Sequence, residues 1–105
     1  MRIELKAVPE MTIEDFADKH DLTMIVIERC KADAESRGRF YAKFKHCEVK
    51  DGEFLHSPLG NGNTPEYAIR DYARKISEKQ LVINASTNNR YCRELQAPRF
   101  IEVKP

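Results

Sequence analysis

No charge excess of either sign, no long apolar run and no paired-cysteine spacing occur in this 105-residue sequence. Eighteen lysines and arginines stand against 17 aspartates and glutamates, a net charge of +1. A dedicated nucleic-acid binder is expected to be strongly basic, so any electrostatic footprint here is a local patch balanced by acid elsewhere. No window approaches the roughly 20 apolar residues of a membrane span, and the opening "MRIELKAVPEM" has no apolar core of signal-peptide length. Cys30, Cys47 and Cys92 are an odd set with no CxxC pair. Small secreted domains carry even disulfide frameworks, which places this chain in a reducing cytoplasm, each cysteine a small hydrophobe in or near a strand.

What is present is a soluble, globular composition, 41% apolar and 33% charged, of a length that supports one domain over residues 1–105. "RIELKAV" alternates Ile3, Leu5 and Ala7 with Arg2, Glu4 and Lys6, the period of a half-buried strand. "TIEDFADKH" predicts a short helix capped by Thr12, with Ile13, Phe16, Ala17 and His20 on one face. The helix and the "DLT" turn after it mimic a helix-turn-helix, but "TMIVIERC" concentrates Ile25, Val26 and Ile27, which suit a strand better than a recognition helix. "KADAESRG" reads as a polar connection. Asp51-Gly52 within "EVKDGEF" is a hairpin signal, the returning strand running from Glu53 to about Pro58. "LGNGN" reads as a flexible entry turn. Thr64 and Pro65 then start a helix whose stripe is Ala68, Ile69, Tyr72, Ala73 and Ile76, with Glu66–Arg70 and Asp71–Lys75 as exposed pairs. "LVINA" is a strand, "STNNR" a turn, and "YCRELQAPRFIEV" a last strand broken at Pro98. The order is β-α-β-β-β-α-β-β, an α+β class.

The strands "RFYAKF" and "EFLHSP", the glycine turn and the "TPEYAIRDYARKI" helix resemble the core of HicB-type antitoxin domains over roughly residues 40–83, through Gly62, Thr64 and Ala68. The helix and "APRF" at residues 97–100 are also similar to small uncharacterised phage and prophage proteins. The resemblance implies a curved antiparallel sheet with two helices packed on one face, as in dsRNA-binding-like and degraded RNase H-like folds. It also implies a phage-encoded protein in the cytoplasm of a bacterial host.

Few residues suggest chemistry. A nucleophilic cysteine needs a histidine base, but adjacent His46 and Cys47 point to opposite faces of a strand. His20, Cys30, His46, Cys47, His56 and Cys92 lack zinc-ligand spacing. Asp15, Asp18, Asp21, Asp51 and Glu53 read as solvated caps and turns, and "GNGN" is too short for a Walker loop. No catalytic residue, metal or cofactor is expected, and the chain reads as non-enzymatic.

"RGRFYAKFKH" carries the most information. Alternation places Phe40, Ala42, Phe44 and His46 inward, and Arg39, Tyr41, Lys43, Lys45 and Cys47 outward. The outer set partly mimics an RNA-recognition strand, but Tyr41 and Phe44 point opposite ways, whereas stacking aromatics must share the open face. The candidate partner-contact patch is Arg39, Tyr41, Lys43 and Lys45, with Arg70 and Arg74. Three readings follow. The first is a small protein-binding inhibitor or modulator of a host protein or defence complex, anti-CRISPR-like in kind. The second is a nucleic-acid-binding module using the basic face, and the third a HicB-like antitoxin or regulatory partner. No membrane partner is expected, and an exposed edge at the first or last strand would allow a homodimer by strand addition.

Overall fold

The computed structural model describes residues 1–5, 10–85 and 92–102. Over these residues the chain is α+β, with three helices and two antiparallel sheets. Helix α1 spans Ile13–His20, strand β1 Met24–Glu28, helix α2 Lys31–Arg37, and strands β2 and β3 Phe40–Phe44 and Cys47–Asp51. Strands β4 (Phe54–His56) and β5 (Gly60–Gly62) precede helix α3 (Pro65–Ile76), and β6 (Gln80–Ile83) and β7 (Arg93–Gln96) follow it. One sheet has the order β1-β2-β5, the other β4-β3-β6-β7.

Both predicted helices form for the predicted reason. Thr12 Oγ1 accepts from the Asp15 amide at 3.1 Å, and Thr64 Oγ1 from the Tyr67 amide at 3.2 Å, each satisfying an otherwise unpaired first-turn donor. Both pack on one face of the sheet. Phe44 of β2 is fully buried, its ring 6.4 Å from Phe16 of α1 and 5.5 Å from Tyr72 of α3. Ala68, Ala73 and Ile76 complete the buried stripe of α3, Ile69 is half-buried, and Lys75 pairs with Asp71 at 3.0 Å.

Several expectations need correction. The "RIELKAV" alternation yields no strand over residues 1–5, and its remainder lies outside the described residues, as does the "STNNR" turn. "KADAESRG" is helical: its residues favour helix, and Gly38 at φ 100° stops it. It lacks an apolar stripe, so periodicity does not reveal it. "RFYAKF" and "EFLHSP" are not paired with each other. β2 lies between β1 and β5, and β4 pairs with β3 through the tight turn at Gly52 (φ 63°) and Glu53.

The strand predicted through residue 46 breaks into β2 and β3. His46 takes φ 55°, so Lys45 and His46 together fill a kink where strict alternation allows one residue. The phase resets: Phe44 and Cys47 are both buried and His46 is exposed, the reverse of the expected placement of His46 and Cys47. The kink carries the chain from one sheet to the other. Cys47 alone of the three cysteines is buried; Cys30 and Cys92 are exposed.

"GNG" is a strand, not a flexible turn. Val26, Ala42 and Gly60 fall in one cross-strand row, shrinking towards the strand on which α3 sits. A Cβ on Gly60 would overlap the Ala68 carbonyl and the Tyr72 Cβ, and one on Gly62 would lie 2.5 Å from the Ala68 nitrogen. These glycines serve close approach of helix to strand, not a turn conformation.

Candidate functional site

Because α1 and α3 occupy the Phe44 side of the three-stranded sheet, its other face is left to the alternate residues. Cross-strand pairing aligns Ile27, Tyr41 and Asn61 in one row and Ile25 with Lys43 in the next. Ile27 is 41% exposed, and Ile25, Tyr41, Lys43 and Asn61 are half-buried. The face thus combines two isoleucines, a tyrosine and a lysine, and among the described residues no helix packs over them.

Arg29 locks this face, and nothing in the sequence singled it out. Its guanidinium lies 4.9 Å from the centroid of the Tyr41 ring and donates to the carbonyls of Arg37, Gly38 and Phe40, each at 3.3 Å, and to Asn61 Oδ1. It therefore ties the end of α2 to β2 and β5 while fixing the tyrosine plane. The Asn61 amide in turn donates to Asp71 Oδ2 at 2.7 Å, and Lys75 donates to the Leu59 carbonyl at 2.7 Å. This polar chain runs from the outer face around β5 to α3. Arg29→Lys is expected to cost about 1–2 kcal/mol in urea unfolding, because an ammonium cannot stack on the ring and reach divergent acceptors together. Recovery of wild-type stability by lysine would show that charge alone suffices.

The six residues of the predicted patch do not form one surface. Tyr41 and Lys43 lie on the outer sheet face and Lys45 is exposed at the adjoining kink. Arg39 sits just before β2, 3.0 Å from Glu28 and 5.3 Å from the Phe40 centroid. Arg70 and Arg74 belong to α3, in the layer on the other side of the sheet. Arg70 lies over the Tyr67 ring at 5.7 Å, and Arg74 pairs with Glu102 at 2.5 Å, an ion pair that holds its guanidinium pKa above the usual value. Period-two alternation identified the sheet residues; which side α3 would take was a tertiary fact.

A separate concavity of about 500 Å³ lies between the start of α1 and α3, floored by Ile13, Ile69, Ala73 and Ile101 and rimmed by Glu14, Asp15 and Glu66. Among the described residues its lining contains no histidine, cysteine or lysine. Among the described residues no three His, Cys, Asp or Glu side chains converge as a metal site would require, and no helix is long and apolar enough to cross a membrane.

The buried thiol is not poised for catalysis. Burial pushes the Cys47 thiol up to about 11 despite its hydrogen bond with Tyr72, so at neutral pH it holds its proton. A thiol reagent at pH 8 should modify Cys30 and Cys92 quickly and Cys47 only on unfolding. Since the folded value exceeds the ordinary 9.0, the native state retains this proton more tightly. The associated stability is complete below pH 9 and is lost as pH rises through about 11. Unfolding free energies of wild type and Cys47→Ala over that window should diverge less as pH rises; a constant difference would contradict the linkage.

Compared with protein-family models, with curated proteins and with solved structures, the chain matches none.

Proposed function

We propose that the chain is a small, non-enzymatic binding module that docks a protein partner on the outer face of the β1–β2–β5 sheet. The observation that carries this reading is the composition of that face. Ile25 and Ile27 stand beside an arginine-clamped tyrosine, with Lys43 within the face and Lys45 at its margin. An apolar and aromatic centre with a charged margin is the anatomy of a protein interface, and fixing Tyr41 beforehand reduces the entropy cost of ordering it on binding. The lysines favour a partner surface bearing carboxylates. On this reading the chain modulates the protein it binds, which is the role that a sequence resemblance to small phage and prophage proteins would imply.

Nucleic acid is the weaker partner class. Phosphate binding needs a row of available cations, whereas Arg39 is engaged by Glu28, Arg74 by Glu102, and Arg29 by backbone carbonyls. The isoleucines at the centre of the face have no phosphate to meet.

The test is affinity capture from bacterial lysate with and without nuclease, comparing wild type with Ile27→Glu/Lys43→Glu. A protein held by wild type after nuclease treatment should bind the double variant about tenfold or more weakly. Equal capture by both proteins, or capture of nucleic acid alone, would remove the proposal.

A further inference from the structure

The described leading segment, residues 1–5, has a strand's alternation but, among the described residues, belongs to neither sheet. Ile3 is 72% exposed and Leu5 96%, and both belong to the same side of the Arg2–Ile3–Glu4–Leu5 pattern. Such alternation earns its apolar burial only against a sheet. Among the described residues, β1 forms one edge of the three-stranded sheet, and it is the longest edge strand, five residues against four in β7 and three each in β4 and β5.

The four edges differ in how they discourage further pairing. β7 carries Arg93 and Glu94, β5 consists of two glycines and Asn61 beneath α3, and β4 has only three residues. β1 reads Met-Ile-Val-Ile-Glu, with no lysine, proline or bulge to blunt it. The helical layer also runs out there: α3 sits on β5 and β2 and barely reaches β1. Met24 and Val26, on the core side of β1, therefore remain half-buried although they pack against the core cluster.

We infer that two copies of this chain associate by exchanging their leading segments. Residues 1–5 of each copy add as a strand to the β1 edge of the other, setting Ile3 and Leu5 beside Met24 and Val26. The exchange is reciprocal and closes as a two-fold dimer. Reciprocity also decides the occupant. One five-residue arm buries too little surface for a specific complex, whereas two arms with the edges they cover bury on the order of 1,000 Å², the size at which specific interfaces begin. The outer face with Tyr41 and Lys43 stays open, so the dimer would present two such faces.

A proline scan of residues 3, 4 and 5, read by light-scattering mass across a dilution series, tests the exchange. Successive amides of a strand point to opposite edges, so only alternate prolines remove a donor to β1. Wild type is expected at twice the chain mass, dissociating on dilution. Ile3→Pro and Leu5→Pro should behave alike and oppositely to Glu4→Pro, one class losing the dimer at least tenfold more readily. Ile3→Glu/Leu5→Glu should be monomeric. These positions are exposed in the single chain, so folding is not at stake. A wild type monomeric at every concentration, or a dimer indifferent to all three prolines, would overturn the inference. Neither result bears on partner capture by the outer face.

Discussion

Gly60→Ala is expected to lower the unfolding free energy by about 3 kcal/mol, the upper range for forcing a methyl into a closed contact. The added carbon meets backbone as well as side chain. It would overlap the Ala68 carbonyl inside α3 and the Tyr72 Cβ one turn later, so rotamer changes cannot relieve it and the helix must lift off β5. Lifting α3 also loosens Tyr72, which is 1% exposed and contacts Phe44. Gly52→Ala makes the control. Nothing lies within 4 Å of a Cβ there, but φ is 63°, so only the left-handed backbone cost of about 1 kcal/mol applies. Urea midpoints of the two variants separate close approach from turn geometry. Equal effects would mean that β5 is not pressed against the helix.

Phe44→Ala should be more damaging still, by about 4 kcal/mol, through lost transfer energy and the cavity left behind. Phe44 stands where both helices meet the sheet, contacting Phe16 at 6.4 Å and Tyr72 edge-on at 5.5 Å, and is fully buried. Phe16 in turn packs edge-on against Phe100 at 5.3 Å, so the cavity would open beside the chain's closing segment as well. Domains of this size have total stabilities of only 5–15 kcal/mol, and the variant should melt far below wild type. Phe44→Leu, which retains most of the volume, should cost under half as much. A Phe44→Ala melting temperature within a few degrees of wild type would show that the aromatic cluster is not the joint between the layers.

Local signals were legible where local chemistry decides the outcome. Thr12, Thr64 and Pro65 announce their helices because a cap satisfies amides a few residues away. The outer placement of Tyr41 and Lys43 follows from alternation, which holds until the backbone breaks it. It breaks at His46, where one left-handed residue exchanges the faces of everything after it, and no side chain in "KFKHC" advertises that. The glycines of β5 misled for a different reason: glycine marks both turns and close approaches, and only the position of α3 distinguishes them. Arg29 was equally hidden. Its acceptors come from the end of α2, from β2 and from Asn61, 32 residues away in sequence. Arg70 and Arg74 share the sign of charge of the sheet lysines, but charge does not say which layer a residue occupies.

Photo-crosslinking tests most directly whether the open sheet face, rather than the helical side, is the docking surface. A photo-reactive phenylalanine analogue is placed at Tyr41 in one sample and at Tyr67, 59% exposed on α3, in another. Each is irradiated with the protein captured by wild type. A covalent adduct is expected from position 41 and none from position 67. Adducts from position 67 alone would place the partner on the helices and contradict it.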